Sequence, residues 1–293
     1  MKQGPYSVKS IRDAFHEELK GLYDAEETNS ILYILFEDFL GWPRTKLHTG
    51  PGTEIDADNT SRFASALERL SKGCPVQHIT GKAYFNGLQL MVNPSVLIPR
   101  PETAELAMLI VKMMPPLRKN DFSAIDIGTG SGCLAIYIKK HLPGINMCGI
   151  DISNDALNVA RSNAASCGTE IDFYLSDIMH ACDAPANRKF NLIVSNPPYV
   201  TEKEKAAMRI NVLDYEPNEA LFVPDDDPLK YYRAVAYFAI NSLEEEGMLW
   251  FEINEACGKE LKELLSGSGF SDISLLQDIH GRDRFMKAGF RSR

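Results

Sequence analysis

Apolar residues recur at helical spacing early in the chain, at Ile31, Leu32, Leu35 and Phe39 and again at Phe63, Ala66, Leu67 and Leu70. That period marks amphipathic helices with one buried face. Gly41-Trp42-Pro43 and the polar stretch around Gly50-Pro51-Gly52 interrupt it, because glycine and proline break a continuous helix. A small helical bundle over residues 1–73 is predicted, free of any catalytic constellation. Between Ala83 and Leu90 the pattern centres on Asn86-Gly87, a pair that tolerates the positive φ of a tight hairpin. Residues 74–98 are accordingly read as a hairpin linker. After Pro99-Arg100-Pro101 a helix is expected, with Glu102 in its first turn and Leu106, Leu109, Ile110 and Met113 on one face.

From Ser123 the period switches to short apolar runs alternating with helical stretches. Strands are predicted at Ala124–Ile127, Met147–Ile150, Ile171–Tyr174, Leu192–Ser195 and Met248–Ile253. Helices are predicted at Cys133–His141, Asp155–Ala165, Leu229–Leu243 and Lys259–Leu265. The final runs, Ile273–Leu276 and Arg284–Lys287, flank a turn at Gly281 and can pair antiparallel. Repeated β-α-β units imply an α/β fold with a doubly wound parallel sheet and a ligand at the strand carboxyl ends. Residues 99–293 form this expected catalytic domain.

Composition narrows the class. The 293 residues are 44% hydrophobic and 24% charged, as in an ordinary soluble globular protein. No apolar run reaches the roughly 20 residues that span a bilayer. Met1 to Ser10 has no signal-peptide core, so a cytoplasmic location is expected. The six cysteines (Cys74, Cys133, Cys148, Cys167, Cys182 and Cys257) form no C-x-x-C pair and no cluster with histidine, so no metal is expected. A net charge of −9 argues against nonspecific nucleic-acid binding.

Candidate chemistry begins at Asp126-Ile127-Gly128-Thr129-Gly130-Ser131-Gly132, between the first strand and helix of the α/β half. Three alternate glycines allow a tight turn and let a ligand lie against bare backbone. The G-x-G-x-G spacing departs from the dinucleotide G-x-G-x-x-G, since Cys133 follows Gly132. Asp151 ends the second strand, where a carboxylate can accept both ribose hydroxyls of an adenosine or simply cap a helix. Asp177 ends the third, where it can accept from an adenine amino group while Ile178 packs on the ring; a turn-capping role is the alternative.

Ser195-Asn196-Pro197-Pro198-Tyr199 closes the fourth strand. An amide or aromatic NH2 is a poor nucleophile because its lone pair is delocalised. Two acceptors holding both N–H bonds fix the nitrogen and stabilise positive charge as a methyl arrives. Asn196 can offer its side-chain oxygen and Pro197 its carbonyl; two prolines stiffen the loop, and Tyr199 offers a flat face. Nothing in or beside this loop is expected to titrate near neutrality, so a flat pH dependence of the chemical step is expected.

Asn-Pro-Pro-Tyr with the glycine motif resembles amino-methyltransferases, including adenine-N6 and glutamine-N5 enzymes. Pro75-Val76-Gln77-His78-Ile79-Thr80-Gly81, Phe85-Asn86-Gly87, Val96 to Thr103 (V-L-I-P-R-P-E-T) and Gly281-Arg282-Asp283-Arg284 narrow this. They resemble the release factor glutamine methyltransferases, the HemK/PrmC family, from about Ile11 to about Lys287. The resemblance implies a class I S-adenosylmethionine-dependent methyltransferase fold with a seven-stranded Rossmann-like sheet and a helical, substrate-docking N-terminal domain. It implies cofactor contacts at Gly128 to Gly132, Asp151 and Asn196, and substrate contacts at Asn196 to Tyr199. The implied partner is a class 1 release factor whose Gly-Gly-Gln glutamine becomes N5-methylglutamine, with S-adenosylhomocysteine as by-product; a monomer is expected. Ile178 departs from the family's frequent aromatic residue, and His78 stands where many members have tyrosine. Arg100 and Arg282 are open to anion binding or to structural ion pairs. An adenine-N6 nucleic-acid methyltransferase and a noncatalytic release-factor adapter are the competing readings.

Overall fold

The computed structural model describes residues 6–114, 122–180 and 188–290; Cys182 lies outside them. Two compact units emerge, residues 1–81 with 209–215, and residues 82–208 with 216–293.

The first unit is helical: α1 (Val8–Glu18), α2 (Ala25–Leu40), α3 (Arg44–Thr49), α4 (Ala57–Ser71) and α5 (Val76–Thr80). A two-residue ladder, β1 (Tyr6–Ser7) against β2 (Glu54–Ile55), closes its start. The helices begin where short polar side chains can take up free N–H groups. Ser7 and Ser10 form a reciprocal capping box on α1, Asp24 caps α2, and Asp56 caps α4. Gly41 ends α2 in the left-handed conformation, at φ 65°. The periodic residues of α2 and α4 meet as expected: Phe36 and Phe63 lie 4.5 Å apart between ring centroids, with Phe15 edge-on to Phe63. Segment 209–215 belongs here because Arg209 pairs with Glu27 at 2.9 Å and the Tyr215 hydroxyl donates to the Lys72 carbonyl at 3.1 Å.

The second unit opens with the hairpin β3 (Lys82–Phe85) and β4 (Leu88–Met91). Asn86 and Gly87 both have positive φ, 46° and 81°, the turn the pair predicts. Then follow α6 (Pro101–Met113), β5 (Ser123–Ile127), α7 (Cys133–His141), β6 (Asn146–Asp151), α8 (Asn154–Ser166), β7 (Asp172–Leu175) and β8 (Phe190–Ser195). The polar stretch after β8 holds β9 (Val200–Thr201), the one-turn α9 (Ile210–Leu213) of the helical unit, and β10 (Phe222–Val223). The chain ends with α10 (Lys230–Ser242), β11 (Leu243–Glu252), α11 (Gly258–Gly267), β12 (Phe270–Gln277) and β13 (Asp283–Phe290).

Seven strands form one sheet in the order β12-β13-β11-β8-β5-β6-β7. All neighbours are parallel except the pairs made by β13, which runs antiparallel to both β11 and β12. Side chains alternate across the pleat. Ala124, Val194 and Trp250 face α6, α7 and α8, while Ile125, Ile193, Leu249 and Phe251 face α10 and α11. The hairpin contributes Phe85, Leu88 and Leu90 to the first of these cores. Met113, expected on the buried face of α6, is 43% exposed. The face actually buried runs through Thr103, Ala104, Leu106, Ala107 and Ile110, where small alanines let α6 pack close to its neighbours.

Successive strands run from β5 outward to β6 and β7, then return to β8 on the other side. The loops after β5 and β8 therefore diverge, leaving the crevice of a topological switch point between them.

Candidate active site

Gly128, Gly130 and Gly132 all have positive φ, 74°, 54° and 80°, a conformation that costs any other residue strain. The backbone N–H groups of Gly128 and Thr129 both donate to the Ile150 carbonyl at 2.9 Å, tying the loop to β6. A Cβ on Gly128 or Gly130 would meet nothing within 4 Å. At Gly132 it would press on Ile136 Cδ1 at 3.1 Å and Ala160 Cβ at 3.2 Å, so this glycine lets α7 and α8 close together. Thr129 Oγ1 donates to the buried Asp126 at 2.7 Å. Burial pushes the Asp126 carboxyl up to about 7 against that hydrogen bond.

Asp151 is bound into the same loop. One of its oxygens accepts from Gly130 N–H at 2.8 Å and the other from Ser153 N–H at 2.9 Å. Each carboxylate oxygen accepts more than one bond, so capacity for two hydroxyls remains. Ser153 also caps α8 by itself. Burial raises the Asp151 pKa, opposed by these N–H groups. Asn163, buried on α8, was not foreseen as a site residue. Its amino group donates to the carbonyls of Ser131 at 2.9 Å and Met91 at 3.0 Å, and its oxygen accepts from Met91 N–H at 2.6 Å. It pins the hairpin to the glycine loop; the available signal was a lone amide on the apolar face of a helix.

Asp177 follows β7 at the same edge of the sheet, two residues beyond the Leu175 that pairs with Asp151. Its carboxylate is engaged in its own turn, by His180 Nδ1 at 2.6 Å and Met179 N–H at 2.8 Å. Burial works to raise its pKa, but these partners outweigh it and hold the carboxyl below the usual range. Ile178 packs on the α10 side of the sheet. It also lines an open groove of about 760 Å³ with Met179, Lys230, Arg233 and Tyr237.

The Asn196–Tyr199 loop leaves β8 beside β11. The register that pairs Ser195 with Phe251 sets Glu252 next to Asn196, and Ser195 Oγ anchors the turn on the Ile127 carbonyl at 2.7 Å. Asn196 Nδ2 donates to Thr103 Oγ1 at 3.1 Å, and Thr103 donates to Glu252 Oε2 at 2.6 Å. The Tyr199 hydroxyl donates to Glu252 Oε1 at 3.0 Å, and the Tyr199 carbonyl accepts from Asn254 at 3.2 Å. Pro197 is buried; Asn196, Pro198 and Tyr199 are half-buried. Burial, then the Glu252 charge, raises the Tyr199 pKa well beyond its ordinary value, so the phenol stays protonated.

The expectation that nothing beside this loop titrates near neutrality is overturned by Glu252, whose carboxyl burial pushes up to about 7. The reason is tertiary: the residue is 1% exposed, and desolvation disfavours the ionised form. A carboxylate inside the apolar run Leu249 to Ile253 was the signal for it.

Arg100 is a structural partner. It donates to Glu216 at 2.8 Å, and Glu216 also accepts from Ile98 N–H at 3.0 Å. Arg282 serves through its backbone, donating N–H to Asp278 at 3.0 Å. His78 lies on α5 in the helical unit. Among the described residues no group of three or more metal-ligating side chains gathers, and no helix is long and apolar enough to cross a membrane.

Two family models match the chain, a methyltransferase small domain over residues 106–214 and a PrmC N-terminal domain over residues 11–81. Among solved structures, a methyltransferase from Pyrococcus furiosus superposes with a TM-score of 0.52 at 14% identity, covering 81% of this chain and all of that one. A Thermus thermophilus 16S rRNA methyltransferase, in complex with AdoMet and guanosine, gives 0.51 at 15% identity, over 72% and 50% of the two chains. Both share the fold. The release factor glutamine methyltransferases of Flavobacterium psychrophilum and Bacteroides thetaiotaomicron are each 40% identical to this chain, over 97% and 96% of it and 99% of their own lengths. That of Bacillus subtilis is 34% identical over 94% of this chain and 96% of its own. With 40% identity over nearly the whole length of both chains, and a matching PrmC N-terminal domain, the chain belongs to the release factor glutamine methyltransferase family.

Proposed function

We propose that this protein methylates the side-chain amide nitrogen (N5) of the glutamine in the Gly-Gly-Gln loop of class 1 translation release factors, using S-adenosylmethionine. One observation carries the chemistry: the Asn196 amino group is occupied by Thr103, leaving its oxygen and the Pro197 carbonyl as acceptors. Two acceptors suit an NH2 with two N–H bonds. The cofactor fits the residues present. Gly128 and Gly130 offer bare backbone facing open space, and Asp151 retains acceptor capacity for ribose hydroxyls. Gly128 to Gly132, Asp151 and Asn196 would hold it, with Ile178 toward the adenine; Asp177 would have to leave His180 to join them. Bound S-adenosylmethionine supplies an electrophilic methyl group.

The chain's own part is positioning. Asn196 and Pro197 fix the nitrogen with its lone pair free and stabilise the positive charge that develops there. Tyr199 and Pro198 flank the planar amide. A nitrogen that has gained a methyl group sheds its proton readily to water, so no residue is required to abstract it. The two glycines beside the target lack side chains, which suits a narrow pocket. The helical unit serves to hold the rest of the release factor, and the enzyme acts as a cytoplasmic monomer.

Incubation of purified release factor with the enzyme and S-adenosylmethionine, followed by peptide mass spectrometry, tests this. The loop glutamine should gain about 14 daltons, one methyl in place of one hydrogen. A gain on DNA adenine, with none on the factor, would instead establish the nucleic-acid reading. A kcat/KM far higher for the full-length factor than for a short loop peptide is expected if docking extends beyond the loop; equal values would remove that role.

A further inference from the structure

An asparagine carboxamide can sit in its place two ways, related by a half-turn that exchanges oxygen and amino group. Only one of them can accept an N–H bond. Here the choice traces back to Glu252. A carboxylate only accepts hydrogen bonds, and one that is 1% exposed must find its donors within the fold. Tyr199 supplies one and Thr103 the other. A hydroxyl has a single proton. With it committed to Glu252 at 2.6 Å, Thr103 Oγ1 can only accept from its remaining neighbour. Asn196 therefore meets it amino-first, at 3.1 Å, and the carboxamide oxygen lies on the other side.

We infer that Thr103 and Glu252 are positioning residues which keep the Asn196 oxygen, not its amino group, toward the substrate amide, and that this relay requires Glu252 ionised. The inference rests on the amide-methylating reading above. Protonating Glu252 reverses the chain of donors. The carboxyl proton then faces Thr103 Oγ1, the Thr103 proton turns to Asn196, and the carboxamide rotates to accept it, presenting N–H to N–H.

Charged and titratable groups surround Glu252 from several elements. Burial is the largest influence and pushes it up to about 7; Glu102 on α6 adds to that, while Thr103, Tyr199 and Arg284 on β13 oppose it. The Tyr232 hydroxyl on α10 donates to its backbone carbonyl at 3.4 Å, and both Tyr232 and Cys133 on α7 feel its charge. Because the working form is the carboxylate, the rate falls as pH drops through this range.

The full-length enzyme and its Thr103→Val, Thr103→Ser and Glu252→Gln variants decide the matter by single-turnover methylation of a release factor. Valine keeps the shape of threonine without the hydroxyl. Thr103→Val should lose about 10²-fold in rate, as for a lost transition-state hydrogen bond. Its KM and its calorimetric affinity for S-adenosylhomocysteine should stay within about threefold of wild type, the pattern of a transition-state loss. Thr103→Ser should restore most of the rate. The wild-type rate should fall between about pH 8 and 5, and that of Glu252→Gln should be slow and flat. In the enzyme without cofactor, the infrared difference between wild type and Glu252→Gln should show a carboxyl band replacing carboxylate as pH drops through about 7. A Thr103→Val enzyme as fast as wild type, a serine variant no better than valine, or a flat wild-type profile overturns the relay. Should Thr103→Val fail to fold, the serine variant and the wild-type profile still decide. A wild type that leaves the glutamine unmodified sinks the proposed function instead, and the infrared titration then reports on Glu252 independently.

Discussion

The three glycines of the crevice loop look equivalent in sequence, yet the structure gives them different duties, and alanine substitution should separate them. All three have positive φ, so each alanine carries the strain of the left-handed region, about 1–2 kcal/mol. Lower unfolded-state entropy returns about 0.4–1 kcal/mol. For Gly128→Ala and Gly130→Ala little else enters the folded state, because the new methyl meets nothing within 4 Å. Their net cost is about 0–1.6 kcal/mol. Gly132→Ala adds contacts at 3.1 Å to Ile136 Cδ1, 3.2 Å to Ala160 Cβ and 3.4 Å to Ala160 Cα. The isoleucine tip can yield, but Ala160 cannot move without α8. Overpacking of this kind costs about 1–3 kcal/mol, bringing the total to about 1–4.6 kcal/mol. Binding should show the opposite ranking. The open space before Gly128 and Gly130 is where the cofactor is proposed to lie, so their methyl groups should weaken S-adenosylhomocysteine binding at least about tenfold, about 1.4 kcal/mol. Urea denaturation gives the stability and isothermal calorimetry the affinity. The reasoning fails if Gly132→Ala is no less stable than Gly128→Ala, or if Gly128→Ala and Gly130→Ala bind like wild type.

Asn196→Ala should fold normally by circular dichroism and lose about 10²–10³ in single-turnover rate; near-wild-type turnover would remove Asn196 from the mechanism. Asn163→Ala leaves the Met91 N–H and the carbonyls of Met91 and Ser131 without their side-chain partner, which should destabilise the protein by about 2–5 kcal/mol; a change under about 1 kcal/mol in urea would show that the pin is idle. Asp126 and Glu252 both have folded pKa values raised to about 7. A raised folded pKa contributes stability that is present below the unfolded carboxylate value and is lost as pH rises through the folded one. The melting temperature should therefore decline from about pH 4 to 7, and the Asp126→Asn, Glu252→Gln double variant should show a flatter slope, whereas an unchanged slope would refute the assignment.

Local pattern determined much of this protein. The helical periods of Ile31 to Leu35 and Phe63 to Leu70, the Asn86-Gly87 hairpin, and the alternation of strands and helices from Ser123 all have short-range causes. Each therefore reads directly from the sequence, and so does the placing of the Gly128–Gly132 and Asn196–Tyr199 loops after strands. Tertiary structure decided what those loops are attached to. Thr103, Asn196, Tyr199 and Glu252 are drawn together from three elements by the β8–β11 register and the approach of α6, and no spacing along the chain encodes that meeting. The same holds for Asn163 bridging Met91 and Ser131, and for Asp151, whose oxygens are already engaged by backbone N–H groups. Protonation was the least legible property of all. An isolated glutamate titrates near its ordinary value; what raises Glu252 is the water removed by two layers of helices packed on the sheet, and desolvation belongs to the folded whole rather than to any residue in it.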